Sequence, residues 1–329
     1  MDLQQRTRRF GIGVILCACV FRFFSGGGPE WIGNRLRSLQ YVSFPIYSET
    51  GRNVRFSSSS GENILHFRES PGPWLPEPEL LRFSEEETAQ VDYDCDLRPD
   101  LASLLLQPLQ WDLMGEEPGV LILHTHTTES YTKTTEAYRE TSDYRTLSEE
   151  YNMLSVGDAV AAILEESGIR VIHDRQLHDY PSYNGSYVHA RSSAQELLKQ
   201  FPSVRLILDL HRDAVEVGGR QLRPLVQDEE EATAQLMFVV GTNVSRQSHE
   251  GWQENLALAL KFHAQLERQC PGIMRPLNLR SQRFNQDLLP GAVLVEVGSA
   301  GNTHPEALRA AEELAAAVVA LARGTAETG

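Results

Sequence analysis

The sequence predicts an α/β fold of three layers, a mostly parallel sheet flanked by helices, and three observations lead to it. Apolar runs of strand length alternate with amphipathic segments of helix length from Pro118 onward. The runs are unbroken, as in "VLIL" at 120–123, and read as strands buried in a core. Polar residues follow several of them directly, and ligands of open α/β sheets bind beyond the carboxyl ends of the strands.

In chain order, Val120–Leu123 is the first strand. Val156, Val160, Ile163 and Leu164 fall on one helical face, so Ser155–Ser167 is a helix and Gly168 supplies its stop. Strand Ile169–Ile172, helix Ala190–Gln200 and strand Val204–Leu210 follow, the last carrying "LILDL". "LMFVV" makes Leu236–Val240 a strand, Glu250–Arg268 is a helix, and "VLVEV" makes Val293–Val297 a strand. The final helix, Pro305–Arg323, opens with a capping box, Thr303-x-x-Glu306, with Pro305 in its first turn.

Before this region the chain reads differently. Arg6, Arg8 and Arg9 precede an apolar run from Phe10 to Val20, the charge order of an export segment whose basic end stays in the cytoplasm. Residues 1–25 are therefore expected to be an N-terminal membrane anchor that holds the remainder outside the cell membrane. The run is shorter than a usual span and Arg22 follows it, so a cleaved signal and a lipoprotein acylated at Cys19 are the alternatives. Residues 26–117 are rich in Gly, Pro, Ser and acidic residues and read as an irregular stalk, within which Leu101–Leu106 is a candidate to dock on the following domain. Residues 118–325 form the expected catalytic domain.

The formal charge is −15 over 329 residues, which excludes a nucleic-acid binder, since phosphate-tracking proteins need a basic stripe. Four cysteines, two of them inside the apolar N-terminal run, encode neither a disulfide framework nor a cysteine-built zinc site. Any metal must be held by His and carboxylate.

Three strand ends carry such groups: "LILHTHTTE", "LILDLHRD" and "AVLVEVGSAGNT". A zinc hydrolase site needs about three N/O ligands, an open position, and a carboxylate to take a proton from water. His126-x-x-Glu129 with His211 supplies the ligands, and Glu296 is the base. A carboxylate inside an apolar strand is costly to bury without a partner, which gives Glu296 its weight. Strand periodicity leaves His124 as an alternative ligand to His126, because alternate residues share a face. Arg212 and Arg283 are the candidates to stabilise a developing oxyanion. A single strand-end histidine is usually an ordinary core or surface residue; it is the coincidence at three strand ends that points to a metal. Ser130 and Ser186 lack the strand-to-helix elbow of a nucleophile, and the acidic run Asp228–Glu231 reads as a solvated loop.

The stretches "HTHTTESY", "DYPSYNGSY", "ILDLHRDA" and "RFNQDLLPGAVLVEVGSAGNT" resemble, in order and wording, the stage II sporulation protein P family of spore-forming Firmicutes, over about Val120 to Arg323. The resemblance implies a zinc-dependent N-acetylmuramoyl-L-alanine amidase with a fold like that of zinc carboxypeptidases, and a peptide-cleaving activity besides. The substrate would be peptidoglycan. The protein would sit in the mother-cell membrane facing the forespore and act in engulfment with the lytic transglycosylase stage II sporulation protein D and the membrane protein stage II sporulation protein M. The family's histidines fall on His124 or His126 and on His211, and its late glutamate on Glu296. By likeness to related amidases, Glu149 or Glu150 competes with Glu129 as the third ligand. A peptidase acting on stem peptides alone, and a catalytically inactive wall-binding scaffold, are the rival functions.

Overall fold

The computed structural model describes residues 82–326 except 110, 133–139, 143, 228–231, 246 and 247. The expected anchor, most of the expected stalk and the run Asp228–Glu231 lie outside the described residues. Among the described residues no helix is long and apolar enough to cross a membrane.

The strands are β1 (Val91–Asp94), β2 (Val120–Leu123), β3 (Glu140–Ser142), β4 (Arg145–Thr146), β5 (Val171–His173), β6 (Leu206–Asp213), β7 (Glu216–Val217), β8 (Arg220–Gln221), β9 (Leu225–Gln227), β10 (Ala232–Ala234), β11 (Leu236–Gly241), β12 (Leu277–Arg280) and β13 (Ala292–Ser299). The helices are α1 (Leu101–Leu105), α2 (Met153–Glu166), α3 (Ser186–Gln200), α4 (Trp252–Gln269) and α5 (His304–Ala326). A 7-stranded sheet runs in the order β1-β12-β11-β13-β6-β2-β5. Every pairing in it is parallel except β11 against β13. The sheet is thus two parallel blocks joined at one antiparallel seam, and β5, β2, β6 and β13 all point their carboxyl ends to the same edge.

Strand periodicity sorts the apolar side chains between two faces. Val120, Ile122, Leu206, Leu208, Leu210, Val293, Val295 and Val297 pack in the main core with residues of α2, α4 and α5. Leu121, Leu123, Ile207 and Ala292 face the other way, against Ala190 and Ala194 of α3. Helices on both faces of a mostly parallel sheet are what the alternating pattern requires.

Local chemistry sets the helix ends. The Asn152 side chain accepts from the Leu154 N–H at the start of α2, and Gly168, at φ 88°, follows its last turn. At the head of α5, Glu306 accepts from the Thr303 N–H at 3.1 Å, half of the expected capping box. Gly157 has a packing reason inside α2. A Cβ there would lie 2.5 Å from His173 Nε2 and 2.6 Å from His124 Nε2.

The stretch expected to be stalk is partly body. Within 82–117, β1 forms the sheet edge in parallel register with β12, Val91 opposite Leu277, and Leu104, Leu105 and Leu113 are buried. Lys261, buried on α4, donates from Nζ to the carbonyls of Leu105 at 2.7 Å and Leu104 at 3.2 Å, capping the carboxyl end of α1. Leu101–Leu106, left by the sequence as a candidate to dock, does pack on α4, and the structured body begins before Pro118. Short length hid these elements. The "VDYD" of β1 alternates apolar and acidic residues as an edge strand does, but sits in an acidic, proline-rich context.

Candidate active site

The chain leaves β2 at Leu123 and turns, and three threonines pin the turn. Thr125 donates to Asp209 from its N–H (2.9 Å) and its hydroxyl (2.7 Å), the Thr127 hydroxyl donates to the Gln176 carbonyl (2.7 Å), and Thr128 donates to Asp179. The Glu129 N–H donates to the His126 carbonyl at 3.1 Å, so the two side chains return to one side of a single turn. The spacing His126-x-x-Glu129 acts as a turn rather than as a helix.

His211 comes from β6 and Glu296 from β13, directly opposite one another in the parallel register. Both belong to the face of the sheet that α3 covers, since Val295 and Val297 point into the main core. His211 Nδ1 lies 3.7 Å from Glu129 Oε2, and the rings of His126 and His211 are edge to face with centroids 5.2 Å apart. His126, Glu129, His211 and Glu296 thus meet at the carboxyl edge, as the sequence suggested.

Electrostatics differentiate the four. Burial pushes the His126 pKa down to about 4, so its imidazole is neutral. Burial also opposes charge on His211, but Asp209 beside it, with Glu129 and Glu296, raises it to about 9. Glu129 is held below the usual carboxylate range against its burial by Arg212, His211, His126 and Arg145. Glu296 goes the other way, up to about 8, because burial and the nearby charges of Glu129 and Asp213 outweigh His211 and Arg212. The two neighbouring carboxyls are thereby pushed in opposite directions.

Zinc is the metal the sequence implied, and the donor chemistry fits it. Among the described residues no group of three or more His, Cys, Asp or Glu side chains is arranged, as it stands, to hold a metal ion. The fit rests on which nitrogens are engaged. His126 Nδ1 is buried without a hydrogen-bond partner, while its Nε2 lies 3.2 Å from the Tyr183 hydroxyl. His211 Nε2 lies 3.0 Å from Asp209 Oδ1, off the direction of a good hydrogen bond, and its Nδ1 is the atom facing Glu129. His126 thus keeps an unengaged Nδ1 while Tyr183 meets its other nitrogen, and His211 lies between Asp209 on its Nε2 side and Glu129 on its Nδ1 side, nitrogen and carboxylate donors of the kind zinc takes. Asp209 is locked in turn by Thr125, and its carboxyl is held down at about 2 despite burial, chiefly by His211.

Other expected residues stand elsewhere. His124 lies on the α2 side of the sheet, its Nδ1 3.2 Å from the Leu210 carbonyl and its Nε2 2.8 Å from His173 Nε2; both nitrogens are engaged away from the cluster. The chain turns immediately after it, so the alternation that made it a rival to His126 ends there. Arg212 is buried, but it donates from Nε to the Ser130 carbonyl and from Nη2 to the Tyr144 carbonyl, and its backbone N–H donates to Glu129 Oε2 at 3.2 Å. It braces Glu129 and the segments around it, and its fork is not free for an oxyanion. Arg283 is bound to Asp287 at 3.1 Å in a cluster with Arg191, and takes no part in the site. Glu149 pairs with Arg175 on the surface and Glu150 is exposed, which leaves Glu129 as the carboxylate beside His211.

Sequence reasoning missed three residues. Arg145 on β4 donates to Asp179 and, at 3.3 Å, to Glu129 Oε1. Asp179 is buried. Tyr183, 55% exposed, stacks on His126 with ring centroids 4.6 Å apart, and the Arg145 guanidinium lies over the Tyr183 ring, 4.8 Å from its centroid. The loop "DYPSYNGSY" was quoted for its wording alone; its acid and aromatics carry no spacing signal toward β2.

The family model for Stage II sporulation protein P (SpoIIP) matches residues 77–319. The curated Stage II sporulation protein P of Bacillus subtilis (strain 168) is 27% identical over 212 residues, 61% of this chain and 50% of that protein, so the match spans about half the relative's length. Among solved structures, the N-acetylmuramoyl-L-alanine amidase Ami1 from Mycobacterium smegmatis is similar at 15% identity and TM-score 0.39, over 66% of this chain and 99% of that one. An N-acetylmuramoyl-L-alanine amidase from Clostridium difficile 630 gives 14% and 0.38, over 65% and 97%. AmiC2 of Nostoc punctiforme gives 14% and 0.36, over 65% and 98%. The fold assignment rests on the strand order and register described above.

Proposed function

The chain belongs to the stage II sporulation protein P family, and from that membership together with the His126, Glu129, His211 and Glu296 cluster we propose that it is a zinc-dependent N-acetylmuramoyl-L-alanine amidase acting on peptidoglycan during sporulation. The observation that carries the reading is the meeting of His126, Glu129 and His211 with Glu296 at one carboxyl edge of the sheet, where His126 Nδ1 and Glu296 Oε2 are buried without a hydrogen-bond partner. His126, Glu129 and His211 would hold the ion. Bound there, it would polarise the amide carbonyl and acidify water.

The chain's own groups do the rest. Glu296, adjacent to His211 and without a partner at Oε2, takes the proton of the attacking water and delivers it to the leaving amine nitrogen. Glu129 is kept ionised by Arg212 and Arg145. Asp209 and Tyr183 orient the two imidazoles. The wider reading places the protein at the mother-cell membrane by its N-terminal segment, facing the forespore, with stage II sporulation proteins D and M as partners in engulfment.

Digestion of purified sacculi by the full chain, with and without chelator, tests the reaction by mass spectrometry of the products. Amidase action leaves a free lactyl carboxylate on the sugar, abolished by chelator and by Glu296→Gln. Cleavage within stem peptides alone would favour the peptidase reading, and wall binding unaffected by chelator without products would favour the scaffold.

A further inference from the structure

Hydrolysis of an amide puts negative charge on the carbonyl oxygen, and the two arginines the sequence offered to meet it are committed elsewhere, Arg212 to backbone carbonyls and Arg283 to Asp287. The other side-chain donors around the cluster are committed too. Arg145 is bound to Asp179 and Glu129, the Tyr183 hydroxyl faces His126 Nε2, and the hydroxyls of Thr125 and Thr128 donate to Asp209 and Asp179. The Ser130 hydroxyl has no partner but is fully buried.

Tyr187 differs from all of these. It lies in the first turn of α3, the helix that covers the Glu296 face of the sheet, and is half-buried with its ring edge to face on His126, centroids 5.5 Å apart. Its hydroxyl makes no hydrogen bond among the described residues, and the carboxyls of Asp209, Glu296 and Glu129 all act on it. A phenol is an unionised donor at neutral pH. A brace fixes its backbone. Asn285 Nδ2 donates to the Tyr187 carbonyl at 2.8 Å, the Phe284 ring lies 6.0 Å away, and Asp287 accepts from both terminal nitrogens of Arg191, one turn on, at 2.8 Å each. Phe284 and Asn285 hold left-handed backbone at φ 51° and 59°, a conformation that persists in residues other than glycine where the surroundings fix it. A donor positioned before the reaction needs no reorganisation in the transition state.

We propose that the Tyr187 hydroxyl donates a hydrogen bond to the oxyanion that develops on the scissile carbonyl. The inference rests on the amide-hydrolysis reading of the His126, Glu129, His211 and Glu296 cluster. As the water oxygen bonds to the carbonyl carbon, Glu296 takes a water proton and the carbonyl π pair moves onto oxygen, where Tyr187 meets it. When the C–N bond breaks, its electron pair goes to nitrogen, which takes the proton from Glu296, and the carbonyl re-forms. The phenol keeps its own proton throughout.

Tyr187→Phe removes the hydroxyl and keeps the ring. In the zinc-loaded full chain acting on a soluble muropeptide, it should lower kcat about 10²-fold, with KM within about 2-fold and metal content unchanged. Affinity for a phosphinate analogue of the scissile amide, tetrahedral as the intermediate is, should fall by about the same factor. Affinity for the muropeptide itself, measured in the Glu296→Gln background, should stay the same. Unchanged kcat, loss of metal, or equal weakening of phosphinate and muropeptide would each overturn the role of Tyr187, even if sacculi are cleaved. Cleavage only within stem peptides, slowed by Tyr187→Phe, would keep that role and discard the amidase reading, and a wild-type chain that cuts no amide would end both.

Discussion

Replacing Arg145 by Met should show how the site is held. Its guanidinium bridges Asp179, whose side chain is 0% exposed, and Glu129 Oε1 at 3.3 Å. Removing one partner of a buried ion pair costs about 3–5 kcal/mol, and because the Arg145 side chain is itself 18% exposed, a value at or just below the bottom of that range, about 2–3 kcal/mol, applies. Asp179 keeps its bonds from the Thr128 N–H and hydroxyl, so the turn should loosen rather than unfold. In the double variant Arg145→Met, Asp179→Asn, the stranded charge is gone and an acceptor for Thr128 remains. A coupling of about 1–3 kcal/mol is expected in a double-mutant cycle read by urea denaturation at pH 7. Glu129 would lose one of its two guanidinium neighbours, and metal affinity should fall about 10- to 100-fold. A coupling within about 0.5 kcal/mol of zero, or unchanged metal affinity, would refute the argument that Arg145 positions Glu129 through this bridge.

Three other outcomes are expected. His126→Ala should lose bound zinc, whereas His124→Ala should retain it with reduced activity, because both His124 nitrogens are engaged elsewhere; metal content of the two purified variants checks this, and the reverse result reassigns the ligand. A fragment beginning at Val120 should be markedly less stable or insoluble, since it strips the β1 edge and the buried Leu104, Leu105 and Leu113, each worth about 1.5–3 kcal/mol; thermal denaturation beside a fragment from residue 77 decides it. Glu306 is held at about 2 against its burial by Arg223, Asn302 and Thr303, so its contribution is present above its unfolded pKa near 4.5 and is lost as pH falls toward 2. Discounted for solvent screening, it amounts to about 1–2 kcal/mol at pH 7. The stability gap between wild type and Glu306→Gln should close below pH 4.5, and a gap unchanged at pH 2.5 would contradict the assignment.

The sequence alone determined what repeats along the chain. Unbroken apolar runs such as Val120–Leu123 and amphipathic faces such as Val156, Val160 and Leu164 are periodic, and periodicity is a local consequence of backbone geometry, so the central strands and long helices were legible. The approach of His126, Glu129, His211 and Glu296 was legible for a related reason: each follows or occupies a strand, and parallel strands deliver their carboxyl ends to one edge. Strand periodicity left His124 beside His126 and the i, i+3 spacing to Glu129 favoured His126; the tertiary structure shows why, since the chain leaves the strand there and both His124 nitrogens are engaged on the other face. It also decided the arginines. Nothing in "HRD" or "QRFNQD" tells that Arg212 is saturated by carbonyls from two other segments, or that Arg283 turns to Asp287. Arg145 and Asp179 meet across 34 residues, and β1 finds β12 across a far longer stretch. Such pairings are selected by tertiary burial and packing, which no local spacing records.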